Sequence, residues 1–268
     1  MKARLVLIRG GGDVGSGVAH RLFSHGLQVV ITELEKPTVI RRMVSFAEAV
    51  YQGEMGIGGI YAKKVKDSKE ALKTLKEGKI PVLVDPQGEA IKELKPDVLV
   101  DARMAKKNLG TKITDAPIVI GLGPGFTAGR DVHATIETKP GPNLGRVIYR
   151  GEAEKHTGMP VAIMGYSVER VLKAPVDGIF RSNKKIGDQV EKGEIVGWVD
   201  QQPIVSQISG ILQGLLYSGL QVKKGKKVGE VDPRGIREYS FALFDRSMAI
   251  GDGVLNAILT LEKRAFKK

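Results

Sequence analysis

Residues 174–200 and 206–232 are two copies of one pattern. They align without a gap at an offset of 32, with eleven identities in 27 positions. Gly178 matches Gly210, Gln189-Val190 match Gln221-Val222, Lys192-Gly193 match Lys224-Gly225, and Asp200 matches Asp232. Self-similarity at a fixed offset means two copies of one supersecondary unit, neither able to bury its apolar side alone. Each copy carries short apolar runs between glycine turns, the mark of β segments. The pattern predicts two interlocked β units that share one core.

The start of the chain follows a different rule. Leu5-Val6-Leu7-Ile8 is a continuous apolar run ahead of Arg9, as in a strand buried on both faces. A glycine loop follows at once, and Val18, Ala19, Leu22 and Phe23 then fall at helical spacing up to Gly26. Residues 27–31 read as the next strand. Within the loop, Gly10, Gly12 and Gly15 match G-x-G-x-x-G, with Asp13 between them. In a dinucleotide site such glycines allow a tight turn, close approach to a pyrophosphate and close helix–strand packing. The helix N-terminus then offers free N–H groups to the anion. Glu33 stands 18 residues after Gly15, where an acidic residue would take a ribose hydroxyl. The same glycines also serve where only close packing is required, so both readings stand.

The strand–helix alternation continues. Residues 68–78 predict a helix, 80–84 a strand, Ala90, Ile91 and Leu94 a short helix, and 98–100 a strand that ends at Asp101-Ala102-Arg103. Ligands of open α/β sheets sit beyond the carboxyl ends of strands, which makes Asp85, Asp101, Arg103 and Lys106 candidates. Helix capping is the alternative for Asp101, and solvation for the lysine. A strand at 117–122 runs into a second glycine loop with Gly121, Gly123 and Gly125. Such a loop can hold a phosphate or a planar ring through backbone N–H groups. Asp131, His133 and Glu137 alternate along 132–138 and so share one face. His133 beside Asp131 is the one candidate for acid–base work.

Composition narrows the chemistry. Cysteine is absent, which excludes disulfides, thiolate metal sites and cysteine nucleophiles. The four histidines are His20, His25, His133 and His156, no two of them four apart, so no metal site is expected. The net charge of +12 comes largely from lysines interleaved with acids. It suits either a solvated surface or an anionic ligand or partner. Nucleic acid has the least support, because neither interleaved aromatics nor a binding module is present. No apolar stretch approaches the ~18 residues of a membrane span. The apolar run at residues 5–8 is too short for a signal peptide, so a cytoplasmic location is expected.

Two resemblances add to this. The pattern G-D-x-V-x-K-G at 187–193, doubled at 219–225 with Leu220 in place of the aspartate, looks like the biotinyl/lipoyl, or barrel-sandwich hybrid, domain. Carrier domains of that kind hold a lysine on the hairpin between the halves. Here the joint is Gln201-Gln202-Pro203-Ile204-Val205, and no lysine occurs between Glu194 and Val222. Over nearly its full length the chain also resembles the selenium-dependent molybdenum hydroxylase maturation family (YqeB type). The residues that carry this are GGGDVGSGVAHRL at the start, Glu35-Lys36-Pro37 with Ile40-Arg41-Arg42, residues 45–51, IGLGPGFTAGRDVHATIET, and residues 144–149. That family is distantly similar to Rossmann-type accessory proteins of the XdhC/CoxI type. The resemblance implies an accessory role in maturing a selenium-dependent enzyme. Its partners would be the hydroxylase apo-enzyme and other maturation proteins.

The expected fold is an α/β Rossmann-like domain (1–112), a strand-rich extension with the second glycine loop (113–172), an all-β barrel-sandwich hybrid (173–233) and a helical C-terminus (234–268) broken at Gly251-Asp252-Gly253. The expected ligand is a molybdopterin-type cofactor or a dinucleotide. An NAD(P)-binding oxidoreductase and a non-catalytic interaction scaffold are the alternatives. Whether the chain catalyses a reaction, and whether it forms a homo-oligomer, are left open. Neither biotin nor lipoate is expected on the chain, and intact-mass spectra of the purified protein should show neither adduct.

Overall fold

The apolar run at the start of the chain forms β1 (Leu5–Arg9), in which Val6, Leu7 and Ile8 are fully buried. The computed structural model describes residues 4–155 and 158–265, so His156 and the end of the basic tail lie outside it. The chain divides into two units. One holds Met1–Pro37, Ser45–His156 and Leu243–Lys268, and the other holds Thr38–Val44 and Thr157–Ala242.

In the first unit β1 leads into α1 (Asp13–Ser24) and β2 (Gln28–Glu33). Then follow α2 (Ala49–Gln52), β3 (Glu54–Ile57), β4 (Ile60–Val65), α3 (Ser68–Lys76), β5 (Ile80–Val84), α4 (Ala90–Leu94) and β6 (Val98–Asp101). After β7 (Ile118–Leu122) come β8 (Thr127–Ala128), β9 (Ala134–Ile136), β10 (Val147–Ile148) and β11 (Gly151–Glu152), and α5 (Asp245–Ala265) joins from far along the chain. Local chemistry sets the boundaries. The Asp67 carboxylate accepts the Glu70 N–H at 2.8 Å and so caps α3, while Lys73 and Lys76 stand in its last turn, where the helix dipole favours cations.

Nine strands make one sheet in the order β10-β9-β7-β6-β1-β2-β5-β4-β3. Its interior pairings are parallel, and β3 and β10 close the edges antiparallel. Alternation within the strands makes two cores. Val6 and Ile8 face Val18 and Leu22 of α1 and Ile250 and Val254 of α5. Leu7, Val30 and Leu99 face Ala71 and Leu75 of α3 and Ala90 of α4. A strand buried on both faces has no room for an alternating polar pattern, which is why β1 reads as an unbroken apolar run.

The second unit contains the repeat. Its strands are β12 (Val171–Lys173), β13 (Gly178–Arg181), β14 (Gln189–Val190), β15 (Ile195–Val199), β16 (Gln202–Val205), β17 (Gly210–Leu215), β18 (Gln221–Val222) and β19 (Lys227–Asp232). They form two four-stranded sheets, β12-β19-β17-β14 and β16-β15-β13-β18. The copies exchange strands: Gly178 of β13 pairs with Val222, and its counterpart Gly210 of β17 pairs with Val190. The connecting loops obey the same exchange. Phe180 N–H donates to the Leu220 carbonyl, and Leu212 N–H to the Asp188 carbonyl, each at 2.9 Å. One core results, with Phe180, Val199, Leu212 and Val231 inside it. Ile40 and Met43, from the early Thr38–Val44 segment, pack against that core, and Leu215 N–H donates to the Ile40 carbonyl at 2.9 Å.

The expected combination of a Rossmann-like domain, a biotinyl/lipoyl-like barrel-sandwich hybrid and a helical C-terminus is corrected by this architecture. What forms is a large mixed sheet, several antiparallel sheets and one long C-terminal helix. The sheet does not stop at β6, because β7, β9 and β10 extend it to an antiparallel edge. The repeat does not close by itself, because β12 and the Thr38–Val44 segment complete its sheets and core. Nor does α5 break at Gly251-Asp252-Gly253. These glycines mark close approach. A methyl group on Gly251 would stand 2.9 Å from Arg21 Cβ, and one on Gly253 would meet the Gly145 carbonyl.

The approach of α1 to α5 is equally tight from the other side. A methyl group on Gly17 would come within 2.5 Å of Ser247 Cβ and 2.8 Å of its backbone. Alanine at position 17 gains up to ~1 kcal/mol of helix propensity but overpacks against backbone that cannot yield, at a cost of about 1–3 kcal/mol. Gly17→Ala should therefore lower stability, read as a reduced midpoint in urea unfolding with an unchanged slope.

Candidate functional site

The chain crosses over at β1. From β1 it adds β2, runs to the edge at β3 and works back through β4 to β5, then passes through α4 to place β6 on the other side of β1. Such a reversal leaves a crevice at the carboxyl ends of the two strands, where ligands of open α/β sheets bind. Arg9 ends β1 and Asp101 ends β6, and the two are register partners. Thr32 of β2 is Arg9's partner on the other side. Leu7, Val30 and Leu99, two residues earlier in each strand, face the α3/α4 core, so these three side chains share that face. All are buried: Arg9 is 7%, Thr32 3% and Asp101 1% exposed.

Asp101 organises the loop that follows. Its Oδ1 accepts the Arg103 backbone N–H at 3.2 Å and Arg103 Nε at 3.0 Å. Its Oδ2 accepts the Thr111 hydroxyl at 2.7 Å and also takes an Arg103 Nη. Burial opposes ionisation of Asp101, but the Arg103 hydrogen bonds and charge, with the Thr111 hydroxyl, outweigh it and hold the carboxyl below its ordinary range. Between Arg103 and Thr111 the backbone is strained, with Met104 at φ 54° and Lys106 at φ 60°. Across the crevice, Asp85 accepts the N–H groups of Gly88, Glu89 and Ala90 at 2.8, 2.9 and 3.0 Å and so shapes the loop after β5. The Arg9 guanidinium lies against that loop, where a methyl group on Gly88 would stand 2.9 Å from an Nη. Burial and the neighbouring Arg103 hold its pKa below the ordinary arginine value, against the pull of Asp101, Asp85 and Asp115.

The glycine loop is packed by its own chain. Gly10, at φ 99°, lies 3.0 Å from the Ala102 backbone at the position a Cβ would take, and a Cβ on Gly15 would strike the Gly10 carbonyl. Gly12 is the extended N-cap of α1, and Asp13 stands in the first turn. Glu33, on the α1 side of the sheet, accepts Gly11 N–H at 2.8 Å and Leu34 N–H at 2.7 Å. Burial raises its pKa despite those two bonds. The segment before α2 crosses the loop: Phe46 N–H donates to the Ser16 hydroxyl at 2.7 Å, and Ala47 N–H to the Gly11 carbonyl at 2.8 Å. In the second loop a methyl group on Gly121 would meet the Phe126 ring at 2.5 Å, on Gly123 the Thr138 hydroxyl at 2.5 Å, and on Gly125 the Lys107 backbone at 2.6 Å.

His133 and Asp131 are elsewhere. His133 precedes β9 and accepts Val119 N–H on Nδ1 at 3.0 Å, which sets it at the amino ends of β7 and β9. Burial holds its pKa below the ordinary histidine value. Asp131 pairs with Arg130 at 3.0 Å and accepts Thr127 N–H at 2.8 Å, and no hydrogen bond joins it to His133 among the described residues. Glu137 is buried as an acceptor for the N–H groups of Thr138, Lys139 and Glu154, each at 2.8 Å. Of the expected residues, the structure thus gathers Asp101 and Arg103 at one crevice and turns Glu33 and the glycines to packing. Arg9, Thr32 and Thr111 join that crevice unannounced. The one available signal was an arginine ending a buried apolar strand. In the second unit, a half-open hollow of about 250 Å³ between β12 and β16 is lined by Leu172, Lys173, Pro203, Ile204 and Gln207, and its exposed lining is more polar than apolar. Among the described residues no group of three or more His, Asp and Glu side chains could hold a metal ion.

No protein-family model matches the chain. It is 48% identical over 264 residues to "Uncharacterized protein YqeB" of Escherichia coli (strain K12), an alignment that takes in 98% of this chain and 49% of that protein. The chain therefore spans about half the length of the curated relative it matches. Among solved structures, an aspartoacylase family protein from Mesorhizobium loti aligns with 86% of this chain and 85% of its own, at 11% identity and a TM-score of 0.27. The ectoine utilization protein EutE (DoeB) of Ruegeria pomeroyi aligns with 85% of each chain, at 16% identity and a TM-score of 0.26. A succinylglutamate desuccinylase/aspartoacylase from Rhodobacter sphaeroides, also over 85% of each chain, has 15% identity and a TM-score of 0.24. Scores this low assign neither a fold nor an activity.

These findings correct the expected identity and role. The curated relative's printed name carries no function, so it lends no support to a molybdenum hydroxylase maturation factor or to an XdhC/CoxI-type protein. The accessory role in maturing a selenium-dependent molybdenum hydroxylase is withdrawn. The NAD(P)-dependent oxidoreductase is withdrawn with it, because its acid–base candidate His133 stands at the amino ends of the strands, whereas the crevice lies at the carboxyl ends.

The Asp101 cluster has a pH signature. Its folded pKa is depressed, so its contribution is present above the unfolded value of ~4 and is lost as pH falls through the folded value. Asp101→Asn should cost about 1–3 kcal/mol at neutral pH. Urea unfolding at a series of pH values should show the gap from wild type narrowing below ~pH 4.

Proposed function

We propose that the first unit binds a small anionic molecule in the crevice at the carboxyl ends of β1 and β6. The observation that carries this is the buried Asp101–Arg103–Thr111 lattice, set where the chain crosses β1. Asp101 is 1% and Thr111 1% exposed. A fold gains little from burying an ion pair compared with apolar packing, whereas a ligand site needs charged groups held still. The strained backbone at Met104 and Lys106 adjoins it, as strain often does at sites. Within this reading, a dinucleotide or a molybdopterin-type cofactor remains a candidate through its phosphate, and attached biotin or lipoate does not. A cytoplasmic location belongs to the proposal too. Among the described residues no helix is long and apolar enough to cross a membrane.

The test is hydrogen–deuterium exchange of the full chain against a panel of phosphorylated and carboxylated metabolites. A ligand of this crevice should protect the amides of residues 85–90 and 102–111, and Arg103→Met should remove that protection. Protection confined to other segments, or indifferent to Arg103→Met, would overturn the reading.

A further inference from the structure

We infer that Arg9 and Thr32 form an oxyanion-binding subsite at the floor of this crevice. The inference rests on the crevice being a ligand site and names the group it grips. Arg9 is 7% exposed, yet its guanidinium makes no hydrogen bond to any described residue. The carboxylate beside it, Asp101, already has both oxygens engaged by Arg103 and Thr111. The other carboxylates that act on Arg9 are turned to backbone: Asp85 to Gly88, Glu89 and Ala90, and Asp115 to Lys112 N–H at 2.8 Å. Thr32, register partner of Arg9, is 3% exposed, and its hydroxyl likewise makes no hydrogen bond to a described residue. Two donors on largely buried residues therefore lie side by side at the crevice with no hydrogen-bond acceptor among the described residues, and neither is among the side-chain donors sealed from solvent without a partner. Three carboxylates balance the charge of Arg9, but none takes its hydrogen bonds, so the guanidinium is held at the crevice with its donors open to a ligand. Its fork of N–H donors matches the oxygens of a carboxylate or a phosphate, and the threonine hydroxyl adds a further donor. Gly88, at φ 82°, allows the loop after β5 to back the guanidinium without a side chain in the way.

A carboxylate and a phosphate share this chemistry, so both serve as probes. Calorimetry and thermal unfolding of the full chain would be run with inorganic phosphate and, separately, with succinate, on wild type, Arg9→Met and Thr32→Val. Binding of either probe is expected in wild type, and the one that binds identifies the source of the oxyanion. Arg9→Met should weaken it about tenfold or more, the loss of at least one charge-assisted hydrogen bond. Without ligand, Arg9→Met should melt close to wild type, because the guanidinium makes no hydrogen bond to a described residue that the change would break. Thr32→Val, nearly isosteric, should weaken binding less and keeps the test open if Arg9→Met fails to fold. A lower melting temperature for Arg9→Met with unchanged affinity in both variants would make the pair structural and overturn the subsite. Failure of both probes to bind wild type would overturn it too. In that case Arg103-dependent protection by some other ligand would still leave the crevice reading standing.

Discussion

Everything in the first unit is arranged around β1 being buried on both faces. A central parallel strand must be apolar along its whole length, and it leaves only its end free for chemistry. Val6, Leu7 and Ile8 meet that demand, and Arg9 is the first residue released from it. Because the chain crosses β1 to reach β6, the released residue meets Asp101, which is the first residue released from the neighbouring strand by the same rule. The polar cluster is thus a consequence of strand order. Were β6 to add beyond β3, at the far edge, the same two residues would end strands that do not touch.

The glycine loop shows how one motif can satisfy a second constraint. Three close approaches converge on it: the Ala102 backbone at Gly10, Ala47 at Gly11, and the Gly10 carbonyl at Gly15. Each tolerates no side chain, so each requires glycine whether or not a phosphate is present. Glu33 follows the same logic. Its oxygens take the N–H groups of Gly11 and Leu34, which ties the loop to the end of β2. Hydrogen bonds to a buried carboxylate are strong enough to justify that placement on structural grounds. The same economy links α1 to α5, where Gly17 and Gly251 let the two helix backbones approach.

In the second unit the duplicated pattern does its work through exchange. A copy that kept its own strands together would leave half its apolar surface in water. By pairing β13 with β18 and β14 with β17, each copy uses the other to complete both a sheet and the core. Asp200 and Asp232, identical in sequence, then diverge in environment. Asp200 accepts Ile179 N–H, whereas Asp232 is fully buried and bonds Gln213 and Arg234. Identical residues acquire different roles because their partners differ: Gln213 stands where the first copy has Arg181, and Arg234 lies just past the second copy.

What the sequence by itself determined was local. The apolar run of β1, the span of α3, the glycine loop after β1 and the doubled β unit were legible, because strand burial, helical spacing, tight turns and internal repetition each leave a short-range pattern. Strand order was not legible, since nothing local says that β6 lies beside β1 or that β7, β9 and β10 extend the same sheet. Nor was the continuity of α5 through Gly251 and Gly253, which depends on what the helix packs against. The site followed strand order. Asp101 and Arg103 could be named from their place after a strand, but Arg9, Thr32 and Thr111 become neighbours of Asp101 only through pairing between distant segments. Glu33 and the glycines carried a pattern shared by phosphate binding and close packing, and only the tertiary structure, by laying residues 46–47 across the loop, decided that here they pack.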